Sequence, residues 1–145
     1  MRILFLGDVV GITGCSKLTS SLKSQIEKEK IDFVIVNGEN SSEAGVGLTE
    51  NVCNDFFNCG VNVITSGNHV WDQKEIMKFI DKENRLLRPH NLFEPSPGKG
   101  FEIFTIQENI KIGVLNLMGN IYMKKCDNVF EASKKFLGTY KLKKD

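Results

Sequence analysis

Apolar residues along this chain fall into two kinds of run. Short stretches, Ile3-Leu4-Phe5-Leu6, Phe33-Val34-Ile35-Val36 and Val61-Asn62-Val63-Ile64, alternate with segments whose apolar residues recur at helical spacing. A short apolar run closed by glycine or polar residues predicts a buried strand, so strands are expected over residues 2–6, 32–37 and 61–65. Gly7 to Gly14 reads as a loop, and the helix after it places Leu18, Leu22 and Ile26 on one stripe. Ser41 to Gly47 is a second loop. Thr49 can cap a helix that buries Val52, Phe56 and Cys59 on one face and ends at Gly60. Asp72 with Glu75 predicts a capping box for a helix carrying Ile76, Phe79 and Ile80. Strands alternating with helices imply parallel pairing through right-handed crossovers, an α/β fold.

The texture changes near residue 86. Pro89, Pro95, Pro97, Gly98 and Gly100 mark an irregular connection. Phe101–Ile106 and Lys111–Leu117 then predict two strands around the turn Glu108-Asn109, and a last helix is expected from Val129 to Leu137. In the second of those strands Ile112, Val114, Leu115 and Leu117 are apolar on both faces, which predicts full burial. No internal repeat or low-complexity segment occurs.

Composition narrows the classes. A chain of 145 residues is expected to form one domain, residues 1–145, with a substantial core. Its net charge of +1 gives no electrostatic footprint for DNA or an anionic membrane. Lys141, Lys143 and Lys144 read as a solvated chain end. Asp8 interrupts the first apolar run too early for a secretory signal, and no stretch approaches the ~20 apolar residues that span a bilayer. The four cysteines, Cys15, Cys53, Cys59 and Cys126, show no CxxC spacing. A zinc site on them is not expected; free thiols in a cytoplasmic protein are.

The candidate chemistry lies where the strands end. In an open α/β sheet, ligands sit in the crevice beyond the carboxyl ends of the strands. The tips here carry Asp8, Glu39-Asn40 and Gly67-Asn68-His69. Together these are hard oxygen ligands and one imidazole, a set suited to divalent cations and phosphate chemistry. Each has a plainer reading. Asp8 alone is a loop carboxylate or helix cap. Glu39 is harder to dismiss, because Glu is disfavoured in strands and turns yet here follows a strand and Gly38 directly. An isolated His69 is a satisfied structural histidine, but at a strand tip facing other polar tips it becomes a proton donor. Trp71 reads as packing, and Asp72 as a helix cap rather than a ligand.

Gly7-Asp8-Val9-Val10-Gly11, Asn37-Gly38-Glu39-Asn40, Gly47-Leu48-Thr49 and Gly67-Asn68-His69-Val70-Trp71-Asp72 resemble, in order, the motifs of the calcineurin-like metallophosphoesterases. The closer resemblance is to the bacterial YmdB-type branch of 2′,3′-cyclic nucleotide phosphodiesterases, which Arg88-Pro89, Pro97-Gly98-Lys99-Gly100 and Val114-Leu115-Asn116-Leu117 also fit. It implies the N-terminal half of a metallophosphoesterase α/β sandwich, with a parallel βαβαβ start and then a more irregular β-rich segment. It further implies a dinuclear centre of iron or manganese, with magnesium as an alternative. Asp8 and Asn40 would bind one metal, Glu39 would bridge, Asn68 would bind the second, and His69 would be the catalytic acid. Val10 stands where most calcineurin-like enzymes have a histidine, so Asn40 substitutes as a ligand.

The resemblance also implies a second half bearing three more metal-binding histidines, which this chain does not contain; His90 reads as incidental. The chain is therefore expected to be truncated, to bind its metals weakly and to be impaired in turnover. The segment from Lys134 to Asp145 is read as an aberrant tail such as a frameshift or early stop would leave. Uncovered apolar surface predicts a homo-oligomer or a complementing second polypeptide. The expected partner is a cyclic nucleotide or related phosphodiester, with neither DNA nor membrane. Two rivals stand beside this reading. A Rossmann-type nucleotide-binding domain would use Gly7, Gly11 and Gly14 with Glu39 on a ribose, although the spacing misses GxGxxG. An inactive remnant or interaction module would keep the fold without turnover.

Overall fold

The three apolar runs pair side by side and in parallel, and a fourth short strand joins them. In the computed structural model, which describes residues 1–93, 95–107, 110–123 and 126–140, the chain order is β1 (Ile3–Leu6), α1 (Gly11–Glu29), β2 (Phe33–Asn37), α2 (Glu50–Asn58), β3 (Val63–Thr65), α3 (Ile76–Phe79), β4 (Leu86–Leu87), β5 (Phe101–Gln107), β6 (Ile110–Leu115) and α4 (Val129–Thr139). The main sheet has the order β1-β2-β3-β4, all parallel, and β5-β6 is a separate antiparallel pair. Leu6 pairs with Val36, Asn37 with Thr65 and Thr65 with Leu87, so the strands deliver their following loops to one edge of the sheet.

The unbroken runs have a physical reason: most of this sheet is covered on both faces. Val34, Val36, Ile64 and Leu86 face the helical layer and pack with Leu18, Leu22, Cys53 and Phe56. Phe33, Val63 and Leu87 turn the other way, onto Val114, with Ile35, Phe104, Ile106 and Ile112 beside them. The β5-β6 pair is thus the second cover. Phe56 is completely buried, and burial of such a ring contributes roughly 3 kcal/mol. Thr49 caps α2 as its type predicts, accepting from the Val52 N–H at 3.3 Å. Gly60, at φ +110°, takes the chain out of the helix in a conformation that glycine adopts at no steric cost.

Four expectations need correction. α1 begins at Gly11, not after Gly14. Gly11 N–H donates to Asn40 O at 2.9 Å, and Val10 bridges Asn40, so a contact with a distant segment sets the start. The capping box does not form, and α3 is a single turn without a side-chain cap. Asp72 binds His69 instead, and Glu75 Oε1 accepts from Glu50 N–H at the start of α2, at 3.3 Å. β4 was not expected; its two residues are too few to show a period. Val114 is buried, but Ile112 and Leu115 of β6, and Leu117 beyond its end, are only half-buried. The far face of the hairpin meets α4 through Phe101, whose ring lies 4.6 Å from that of Phe136.

The hairpin turn Glu108-Asn109 and the lysines from Lys141 onward lie outside the described residues. Among the described residues no helix is long and apolar enough to cross a membrane, and the four cysteines are free thiols.

Candidate functional site

The site is assembled from the tips of β1, β2 and β3. Asp8 follows β1 at the surface, and Asn40 Nδ2 donates to both of its carboxylate oxygens, at 3.1 and 2.9 Å. Backbone bonds fix this pair. Val9 N–H donates to Asn37 O at 3.0 Å, and Ser41 Oγ donates to Val9 O at 3.1 Å. Two loops are tied into one surface before any ligand is considered.

Glu39 is set by its own strand end. Its N–H donates to Asn37 Oδ1 at 3.0 Å, while Gly38 N–H reaches Thr65 O on β3 at 2.9 Å. The carboxylate lies directly against Gly67. A β-carbon on Gly67 would overlap Glu39 Oε2 and stand 2.9 Å from Oε1. Glycine is required here for close approach, not for a turn conformation. The contact brings the acidic tip of β2 to the residue that precedes Asn68 and His69.

Two oxygens at this junction are orphans. Glu39 Oε2 and Asn40 Oδ1 are buried without a hydrogen-bond partner among the described residues. An unsatisfied buried acceptor costs about 1–3 kcal/mol, so two of them on adjacent residues mark a place where a bound water or cation would be accommodated. Carboxylate and amide oxygens suit a hard divalent cation. Among the described residues, no three His, Cys, Asp or Glu side chains cluster as a metal site. The acidic side chains at these tips are two, Asp8 and Glu39, with the amides of Asn40 and Asn68 beside them in sequence.

His69 lies in the turn after β3 and is about one-third exposed. Its Nδ1 is 2.6 Å from Asp72 Oδ2, and Asp72 N–H donates to His69 O at 3.1 Å. The imidazole is held by one nitrogen, leaving Nε2 for other chemistry. Asn68 lies between Gly67 and His69 and is half-buried. Sequence reasoning missed two supporting residues. Asp72 orients His69, and the signal was the His-x-x-Asp spacing. Asn116, just after β6, donates through Nδ2 to Ser66 O at 2.8 Å and Leu87 O at 3.0 Å, pinning the tips of β3 and β4. His90 stands apart, its ring edge-on to Phe136 at 5.5 Å.

A parallel sheet whose polar tips converge at one edge, backed by an antiparallel pair, places the chain in the α/β class of a solved phosphatase. A crystal structure described as a novel phosphatase from Mycoplasma pneumoniae superposes with TM-score 0.86 at 32% identity, covering 97% of this chain and 52% of that one. A hypothetical protein from Thermus thermophilus superposes with TM-score 0.88 at 32% identity, covering 97% of this chain and 54% of that one.

The chain belongs to the YmdB-like protein family, whose model matches residues 4–145 and so extends over the segment from Lys134 onward. It is 43% identical over 131 residues to the 2′,3′-cyclic-nucleotide 2′-phosphodiesterase of Bacillus subtilis, covering 90% of this chain and 48% of that protein. The chain spans about half the length of the curated relatives it matches.

Proposed function

We propose that this chain carries the strand-tip half of a divalent-metal phosphodiesterase site that acts on 2′,3′-cyclic nucleotides or related phosphodiesters. The observation that carries the reading is the pair of orphaned oxygens, Glu39 Oε2 and Asn40 Oδ1, beside Asp8 and against the Gly67-Asn68-His69 turn. The reaction named for the Bacillus subtilis relative supports the substrate class. Asp8, Glu39, Asn40 and Asn68 would hold two cations, manganese or iron, with magnesium as an alternative. Such a pair supplies polarisation of the phosphoryl oxygens and a more acidic water as nucleophile.

The chain's own residues supply position and a proton. Asn40 orients the Asp8 carboxylate by donating to both oxygens. Asp72 Oδ2, 2.6 Å from His69 Nδ1, fixes the ring. Nε2 would then hand a proton to the departing ribose oxygen. All four proposed ligands are oxygen donors and half are neutral amides, so the chain by itself should bind metal weakly and turn over slowly. Free thiols fit a cytoplasmic setting.

The test is hydrolysis of 2′,3′-cyclic AMP with added manganese, measured against manganese alone. Slow turnover above that background, lost in Asn68→Ala and His69→Ala, is the expected result. Turnover indistinguishable from background, or unchanged in both variants, overturns the reading.

A further inference from the structure

Two valines follow Asp8 and serve different ends. Val9 packs against the hydrophobic core, whereas Val10 is 52% exposed, so its side chain adds little to the fold. Asn40 ties Val10 to the site: its amide clasps Asp8, and its backbone bridges Val10. Val10 therefore stands at the lip of the strand tips. The loop from Ser41 to Gly47 passes beside it. A β-carbon on Gly45 would lie 3.9 Å from Val10 Cγ1, and glycine there leaves the valine uncovered. The next residue, Val46, is 38% exposed.

Hydrogen bonds fix this loop. Ser42 N–H donates to Gly47 O at 2.9 Å, and Val46 O accepts from Ser42 Oγ at 2.6 Å and from Gln73 Nε2 at 2.9 Å. Gln73 follows Asp72, which holds His69, and a β-carbon on Gly47 would stand 3.3 Å from Asp72 Cβ. The loop thus runs from the Asp8-Asn40 pair to the His69-Asp72 pair and carries an exposed valine between them.

We propose that Val10 and Val46 form an apolar shelf that seats the nucleobase of a cyclic nucleotide while its phosphate lies at the strand tips. The identity of the ligand rests on the phosphodiesterase reading above, and its chemistry assigns the shelf. The cyclic phosphate and ribose are polar and match the carboxylates, amides and imidazole. The base has two flat faces, and removing them from water against methyl groups is favourable. A shelf already fixed by hydrogen bonds costs little to order on binding. A phosphodiester without a base leaves it empty, so the shelf selects nucleotides among phosphodiesters.

The test is NMR titration of the chain, with added magnesium, using 2′,3′-cyclic AMP and glycerol 1,2-cyclic phosphate, which keeps the ring phosphodiester and lacks the base. The nucleotide should bind about 10-fold tighter or more. In the double variant Val10→Ala and Val46→Ala that advantage should fall to ~3-fold or less, with glycerol 1,2-cyclic phosphate binding and manganese uptake unchanged. Intermolecular Overhauser contacts should join valine methyls to the adenine ring protons. Circular dichroism melts establish that the variant is folded. Equal affinity for the two probes, an advantage that survives the double substitution, or contacts confined to the ribose overturns the proposal. Absence of binding by either probe overturns it as well, and manganese uptake that still depends on Glu39 would then leave the metal reading standing.

Discussion

Gly67→Ala isolates one contact on which the architecture of the site depends. Gly67 does not use a left-handed backbone, and the obstacle to a methyl group there is the carboxylate of Glu39, whose Oε2 it would overlap. That carboxylate ends a flexible side chain, so it should swing aside before the strand moves. The cost therefore falls at the low end of the overpacking range, about 1 kcal/mol. For a domain of this size that is a fall of roughly 3 °C in Tm. The assay is thermal and urea unfolding of a double-mutant cycle. In the Glu39→Ala background the methyl group has room, and Gly67→Ala should become nearly silent, giving a coupling of about 1 kcal/mol, above the usual additivity error. Gly7→Ala, with nothing within 4 Å of its β-carbon, should leave stability within ~0.5 kcal/mol and serves as control. Equal losses from Gly67→Ala in both backgrounds would refute the contact, and with it the junction between the second and third strand tips.

Other outcomes follow from the same structure. Asn116→Ala removes both donors to Ser66 O and Leu87 O and should cost about 1–3 kcal/mol in urea unfolding; a loss below ~0.5 kcal/mol would show that the tips do not need the pin. Arg85 holds the Glu83 carboxyl below its ordinary value of 4.5, chiefly by a direct hydrogen bond. A depressed folded-state pKa adds stability that is present above the ordinary carboxylate range and lost as pH falls through the folded value. Glu83→Gln should therefore flatten the acid limb of the stability profile below pH ~4.5, and an unchanged limb would contradict the pairing. Burial pushes the Cys53 thiol well up, and Cys59 and Cys126 are raised less far, also by burial. Cys126 should react first with a thiol reagent and Cys53 only on unfolding; early labelling of Cys53 would refute the core assignment.

What the sequence makes legible follows from which forces are local. The runs that became β2 and β3 are readable because burial on both faces demands a nearly continuous apolar run; β1 carries the same pattern although Ile3 and Phe5 are exposed. Thr49 is readable because its cap closes within three residues. The start of α1 was hidden, since Gly11 to Gly14 carry loop composition and their helical turn is fixed by Asn40 far along the chain. The Asp72 and Glu75 pattern was misread for a related reason. Both carboxylates have the spacing of a cap, but each finds a better partner elsewhere, His69 for one and the backbone of α2 for the other. At the candidate site, Asp8, Glu39, Asn40, Asn68 and His69 are singled out by type and by position after a strand. That Asn40 clasps Asp8, and that Glu39 leans on Gly67 and leaves an oxygen unpaired, are long-range facts that no local pattern encodes.

Manganese binding by the chain itself reaches the central claim most directly. Equilibrium dialysis or the loss of the free-manganese paramagnetic signal should show saturable uptake that Glu39→Ala and Asp8→Ala each abolish or weaken by at least ~10-fold, while Phe130→Ala leaves it unchanged. A weak site suffices, because only the dependence on these residues is at issue. Uptake that does not saturate, or that survives both substitutions intact, would contradict the account that the orphaned oxygens at the strand tips are there to hold a cation.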